Sequence, residues 1–127
     1  MSGAGEALQA AAAEALRQIG ALGVYDGPPV QAAVPYAAVE AGPESDWSHK
    51  SGAGREVRIA VSLFDKGERP VRLQVLMGEA EQALEGMPSP ADWTLVTLQF
   101  LRSRLLRDSK GIWVGVIEYR ARVLKAG

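Results

Sequence analysis

Apolar residues recur at helical spacing in two segments of the chain. Near the N-terminus they are separated by four, three, four and three residues, which places them on one face of an α-helix. These positions are Leu8, Ala12, Ala15, Ile19 and Leu22. A second segment, residues 68–87, has the same periodicity, with Pro70 in its first turn, where the missing N–H costs little. The pattern therefore predicts two amphipathic helices.

Four other segments have the composition of β-strands. Residues 55–65 alternate strictly between apolar and polar side chains, which is typical of a half-buried strand. Residues 34–39 predict a shorter strand near a sheet edge, because they begin beside a proline. Residues 93–107 and 112–124 are joined by the turn 108–111 and predict one long antiparallel hairpin.

The element order is therefore α-β-β-α-β-β, which is typical of an α+β domain with two helices packed on a mainly antiparallel sheet. Residues 24–25 predict a short extended segment entering a turn at 26–29. Residues 42–54 contain Gly, Ser and Pro and predict the longest loop of the chain. The 127 residues predict a single domain, residues 1–127.

The predicted C-terminal hairpin is apolar on both faces near its turn. In the last strand one face is apolar throughout, which predicts that this face belongs to the core of the domain. The other face is apolar near the turn and becomes polar from Glu118 onward. The apolar tip must be covered on both sides, either by a helix on each face or by a neighbouring subunit. Both alternatives remain open from the sequence. The candidate partner contacts here are Leu105, Leu106, Ile112, Trp113 and Val114.

Composition and charge narrow the class of protein. The chain is 47% hydrophobic with a formal net charge of -1, which fits a globular domain and gives no overall attraction to DNA or anionic membranes. It has no cysteine, so disulfides and thiolate metal sites are excluded. No segment approaches the roughly 18 apolar residues of a membrane span, and the N-terminus lacks the pattern of a signal peptide. We expect synthesis in the cytoplasm and no membrane partner.

Candidate catalytic residues are few. Asp46, Ser48 and His49 include the residue types of a hydrolase triad, but neighbours this close in sequence rarely reach the required geometry. His49 is the only histidine, so a histidine-rich metal site is excluded. The sequence therefore predicts no enzymatic activity, no metal and no cofactor.

The polar segment that contains Trp47 and Lys50 predicts a contact region of another kind. An indole in a glycine-bounded polar segment either packs on its own domain or serves as an anchor for a partner. Both alternatives stay open, and we expect Trp47 and Lys50 to contribute to a partner interface.

Two motifs and their order point to a known family. The first is Tyr-Asp-Gly-Pro-Pro at residues 25–29 followed by Pro-Tyr at 35–36, and the second is Asp-Trp-Ser-His-Lys-Ser-Gly at 46–52. With the N-terminal Ala-rich helix and the final hairpin, this arrangement resembles the phage and prophage tail-completion proteins, also found in gene transfer agents, that include tail terminators. The resemblance covers nearly the whole chain.

The resemblance implies a structural virion protein. Its subunits would form a homo-oligomeric ring, expected to be a hexamer, that caps the tail tube and joins it to a head-side connector or stopper protein. DNA would pass through the lumen without being read, and the small net charge agrees because tight phosphate binding would hinder passage. Two alternatives are a head-tail connector or adaptor subunit, and a small ligand-binding or enzymatic domain, which predicts a pocket with convergent polar groups.

Overall fold

The computed structural model describes residues 3–25, 29 and 32–126. Its two helices are α1 (Ala4–Leu16) and α2 (Val71–Glu85), and its strands are β1 (Gly23–Tyr25), β2 (Tyr36–Asp46), β3 (Gly54–Asp65), β4 (Trp93–Arg107) and β5 (Trp113–Lys125). The order α-β-β-β-α-β-β confirms the predicted α+β class. It adds one short strand, β1, where the sequence predicted only an extended segment, and most of the turn predicted to follow it lies outside the described residues.

The five strands form one sheet in the order β1-β2-β3-β5-β4. Only β1 and β2 run parallel, and the other three pairs are antiparallel. The hairpin β4–β5 is confirmed, and β5 lies inside the sheet with β3 on its other side. A strand of three residues is too short to show a period of two, which is why periodicity alone did not reveal β1.

The predicted loop at residues 42–54 is wrong over its first part. Strand β2 continues to Asp46, and its pairing with β3 shifts register between Ala41 and Glu44. Gly42 and Pro43 lie in this β-bulge, which lets a strand continue through two residues that usually interrupt pairing. The connection between β2 and β3 is therefore a short turn, residues 47–53.

Both helices pack on the same face of the sheet. Helix α1 contacts β1, β2 and β3, helix α2 contacts β3 and β5, and the helices touch each other. The apolar face predicted for the last strand is confirmed as core. Its buried members are Ile117, Tyr119, Ala121 and Val123. A helix on each face of the hairpin, one of the two alternatives from the sequence, is therefore contradicted by the placement of both helices.

Helix α2 is shorter than predicted at each end. It begins at Val71, so Pro70 occupies the position before the first helical residue, and it ends at Glu85 before Gly86. Its buried side packs Leu73, Leu76, Met77, Ala80 and Leu84 against the sheet. On the opposite side, Val71 and Val75 are 54% and 57% exposed. These two valines have no role in the core of the subunit.

An ion pair between the buried Asp65 and the exposed Arg72 joins the end of β3 to the start of α2. Asp65 is 3% exposed and accepts hydrogen bonds from Arg72 Nε at 2.8 Å and from the backbone N–H of Lys66 at 2.9 Å. The bond from Arg72 lowers the pKa of Asp65 below its ordinary value, although burial opposes the shift. The pair fixes the angle at which α2 leaves the sheet.

We expect Asp65→Asn to lower the free energy of unfolding at pH 7 by about 2 kcal/mol, because a charge-assisted pair is lost. The folded pKa of Asp65 is depressed, so its stabilising effect is complete above the unfolded value of about 3.9 and is lost as the pH falls through the folded value. Denaturant unfolding of both proteins across this range should show the stability difference shrinking in acid. A difference independent of pH would contradict this account.

A candidate assembly surface on the open face of the sheet

The face of the sheet opposite the helices is called the open face below. In β3 the buried positions Val57, Ile59, Val61 and Leu63 alternate with residues that point to the open face. Several of these are half-buried, and no described helix covers them. The surface therefore consists of side chains from β2, β3, β5 and β4 that stand side by side.

Near the turn between β4 and β5 the open face is apolar. Tyr36, Phe64, Val114 and Leu106 are direct neighbours across four strands. The rings of Tyr36 and Phe64 stack with centroids 4.6 Å apart, and Leu106 is 38% exposed. We call these four residues the apolar row. A contiguous apolar surface of this kind, bordered by polar residues, typically marks a protein contact.

Toward the other end of the strands the open face becomes charged. Arg58 and Arg120 lie directly opposite each other on β3 and β5, an arrangement that places like charges side by side and is unfavourable by itself. Arg120 donates to Gln99 and lies 3.8 Å from Glu56. No described residue forms a hydrogen bond or ion pair with the Arg58 side chain. Arg58 is therefore the member of this pair that is suited to an acidic partner.

Two further ion pairs complete the charged end. Arg122 Nε donates to Glu56 Oε1 at 3.0 Å, and Arg102 Nε donates to Glu118. The hydrogen bond from Arg102 is the main reason that the pKa of Glu118 lies below its ordinary value. Both carboxylates are therefore paired with arginines of the sheet, and so is Arg120 through Glu56. The positive charge that this end of the open face offers to a partner is then mainly that of Arg58.

A shallow cleft of about 450 Å³ lies on the open face beside the β2 bulge. Three carboxylates line it, and each already has an arginine partner, which for Glu44 is Arg55 at 2.9 Å. The other two are Glu56 and Glu118. The cleft brings together no nucleophile and general base, so its polar groups serve the ion pairs of the sheet.

Asp46, Ser48 and His49 form the turn between β2 and β3. Ser48 Oγ donates to Asp46 Oδ1 at 2.6 Å and accepts from the backbone N–H of Gly54 at 3.1 Å. Those contacts hold the turn together, and the hydrogen bonds from Ser48 lower the pKa of Asp46. The His49 ring packs edge-on against Trp47 with centroids 4.4 Å apart. The arrangement orders the turn and has no triad geometry.

Trp47 packs on its own domain. Its ring is half-buried, with the Arg122 guanidinium 5.5 Å from the ring centroid, a cation–π arrangement. Lys50, at the tip of the same turn, is exposed. Of the two alternatives for the tryptophan, the structure favours packing within the subunit, and the role of Trp47 and Lys50 in a partner interface stays a prediction.

The tip of the β4–β5 hairpin is attached to the connection between β3 and α2. Trp113 Nε1 and the Arg107 guanidinium both donate to the carbonyl oxygen of Gly67 at 2.9 Å. The Arg107 guanidinium also lies 4.7 Å from the Trp113 ring centroid. Ile112 is half-buried beside the turn, and its backbone N–H donates to Asp108. The tip is therefore an integral part of the sheet.

The seven residues predicted as partner contacts lie at two ends of the molecule. Leu106 and Val114 belong to the apolar row, whereas Leu105 and Trp113 pack toward the helix side. Trp47 and Lys50 lie at the opposite end of β3, which is eleven residues or roughly 36 Å away in an extended strand. The seven residues therefore belong to two separate regions of the surface.

Sequence reasoning missed half of the apolar row. The strand pattern does not indicate which face Tyr36 occupies, and Phe64 is an apolar residue on the otherwise polar face of β3. The signal was present, because the open-face positions of β3 run from Glu56 and Arg58 to Phe64. The same change from charged to apolar along β5 points in the same direction in space.

Two further findings concern the part of the chain in residues 3–25, 29 and 32–126. No group of three or more His, Asp or Glu residues there is arranged to hold a metal ion. None of the described helices is both long and apolar enough to cross a membrane.

Comparisons with known proteins identify the family. The family described as tail completion protein gp17 matches residues 6–124, and the chain belongs to that family. It is similar to a chain in the virion of a native gene transfer agent (GTA) particle, with 28% identity, 97% of this chain and 99% of that chain covered, and a TM-score of 0.64. A search of curated proteins gave no match. The protein is therefore a structural tail component of a phage or phage-like particle.

Proposed function

We propose that this chain is a tail terminator, a subunit that forms a ring on the finished tail tube and joins it to the head-side connector. The observation that carries the proposal is the family match over residues 6–124 on a subunit with an uncovered apolar row. An apolar row left at the surface of a tail-completion subunit is a surface for assembly. The resemblance in the sequence motifs supports the same role.

In this proposal the ring is a homo-oligomer, expected to be a hexamer, with the tail-tube protein on one side and the connector or stopper on the other. DNA passes through its lumen without sequence recognition. The formal net charge of -1 supports passage, because strong phosphate contacts would retain the DNA. The subunit has no enzymatic role in this proposal, and the use of Asp46 and Ser48 in turn formation supports that view.

Electron microscopy of the purified chain mixed with tail tubes tests the role. We expect ring-shaped density at one end of each tube, and we expect capped tubes to stop growing when free tube protein is added. Tubes without the chain, which continue to grow, are the control. Binding to isolated head-side connectors with no binding to tubes would favour the connector or adaptor function instead.

A further inference from the structure

The outer side of α2 forms a second unpartnered surface on the subunit. Val71, Val75, Gly78 and Gln82 follow one another at spacings of four, three and four residues, opposite the buried side of the helix. The two valines are more than half exposed, and the space around Gly78 is open. We call these four residues the α2 outer stripe. Its N-terminal half is apolar.

The C-terminal half of the α2 outer stripe lies between two acidic residues. Glu79 and Glu85 flank the stripe on its two sides, and both are exposed. The open face of the sheet has the opposite character at its charged end, where Arg58 and Arg120 lie side by side. The two surfaces are therefore complementary, apolar against apolar and acidic against basic.

Both surfaces change from apolar to charged in the same direction along the subunit. At one end, the Asp65–Arg72 pair places the start of α2 beside the end of β3, and therefore places Val71 level with Phe64. Farther along, the Met77 side chain lies against Gly115 of β5. From there Glu85 is eight helical residues or about 12 Å away, and Tyr119, the residue next to Arg120, is four strand residues or about 13 Å away. Glu85 thus lies level with the arginine pair, on the other side of the sheet.

The distances along the two surfaces also agree. From Val71 to Glu85 is fourteen helical residues, or about 21 Å. From Phe64 to Arg58 is six strand residues, or about 20 Å. If a neighbouring copy keeps the same strand direction, its α2 outer stripe therefore matches the open face of the first copy, apolar end to apolar end and charged end to charged end. Rotation about an axis parallel to the strands preserves that orientation, and repeated rotation about one axis builds a ring from heterologous contacts.

We propose that copies of this chain associate head to tail, with the α2 outer stripe of one copy seated on the apolar row of the next. In this contact Val71 and Val75 pack against Phe64 and Val114, and Glu85 faces Arg58 and Arg120. The inference rests on the proposed ring and names the two surfaces that form it. The same contact would cover the exposed valines of one copy and the arginines of the next.

Cysteine crosslinking tests the contact, because the natural chain has no cysteine. The double variant Val75→Cys and Val114→Cys is purified and also incorporated into particles, and both samples are treated with a short bifunctional thiol crosslinker. We expect a ladder of multimers under denaturing conditions. The single variants should remain monomeric, since each offers only one side of the contact.

A matched control uses Val96, which is 46% exposed on β4 and lies outside both surfaces. The pair Val96→Cys and Val114→Cys should give no ladder. In a parallel measurement, Val75→Asp should reduce incorporation into particles by at least about tenfold, because a carboxylate would face the apolar row. Val96→Asp should leave incorporation unchanged within about twofold. Thermal unfolding of each variant reports whether the subunit is folded.

Three results would overturn the inference. Dimers from Val75→Cys alone would show that two α2 helices face each other. Crosslinks from Val114→Cys to a different tail protein would show that the open face binds that protein. Absence of the ladder in particles that still show a ring of this chain would refute the contact and leave the proposed terminator role intact, whereas absence of the ring would refute that role.

Discussion

Replacing Val61 with aspartate is expected to unfold the subunit or to lower its free energy of unfolding by more than about 4 kcal/mol. Val61 is fully buried in the middle of β3, with Val39 and Ile117 as its neighbours on the adjoining strands. A carboxylate placed there meets apolar groups on both sides and has no cation within the core. Because domains of this size are stable by about 5–15 kcal/mol, such a loss removes much of the folded population.

The next residue supplies the control. Ser62 points to the open face and is half-buried between Ala38 and Val116. Ser62→Asp introduces the same carboxylate one position along the same strand, but its charge can reach water. Circular dichroism and denaturant unfolding should show a folded Ser62→Asp variant with a loss of about 1 kcal/mol or less. Equal destabilisation by both variants would show that the open face is closed to solvent.

The second large effect is expected for Gly54→Ala. A Cβ atom at Gly54 would lie 2.3 Å from the carbonyl oxygen of Trp47 and 2.9 Å from a methyl group of Leu124. The oxygen belongs to the backbone of the turn and is held there by the hydrogen bond from Trp47 N to Gly54 O at 2.9 Å. The turn must therefore open, and we expect a loss of about 3 kcal/mol in the free energy of unfolding.

Gly52→Ala is the matched control for this substitution, since an added Cβ at Gly52 meets nothing within 4 Å. Thermal and denaturant unfolding should give a clear loss for Gly54→Ala and a change within about 0.5 kcal/mol for Gly52→Ala. Tryptophan fluorescence should also change in the Gly54 variant, because the ring of Trp47 loses its place beside Arg122. Similar stability for the two variants would contradict the close contact.

The structure explains one of the sequence motifs, because the motif forms the turn between β2 and β3. The segment 46–52 is one of the motifs that carry the resemblance. In the structure Ser48 bonds to Asp46 and to the backbone of Gly54, and Trp47 lies under Arg122. The motif therefore specifies the geometry of the β2–β3 turn.

The sequence by itself determined the elements with strong periodicity. The alternation in β3, the repeated apolar positions of α2 and the core face of β5 were each visible because one side of the element is buried and the other is not. The α+β class followed from the order of those elements, and the family resemblance followed from short motifs in the turns.

Only the tertiary structure decided which surfaces remain uncovered. Periodicity shows that a strand or helix has two different sides, but it does not say on which face of the sheet a helix packs. Because both helices pack on one face, Phe64 and Val114 lie together on the uncovered face, and Val75 points away from the sheet on α2. Three features depend on the register between distant segments: the bulge at Gly42 and Pro43, the pairing of Arg58 with Arg120, and the position of α2 along β5. Register is set by contacts across the sheet, and those contacts exist only once the chain has folded.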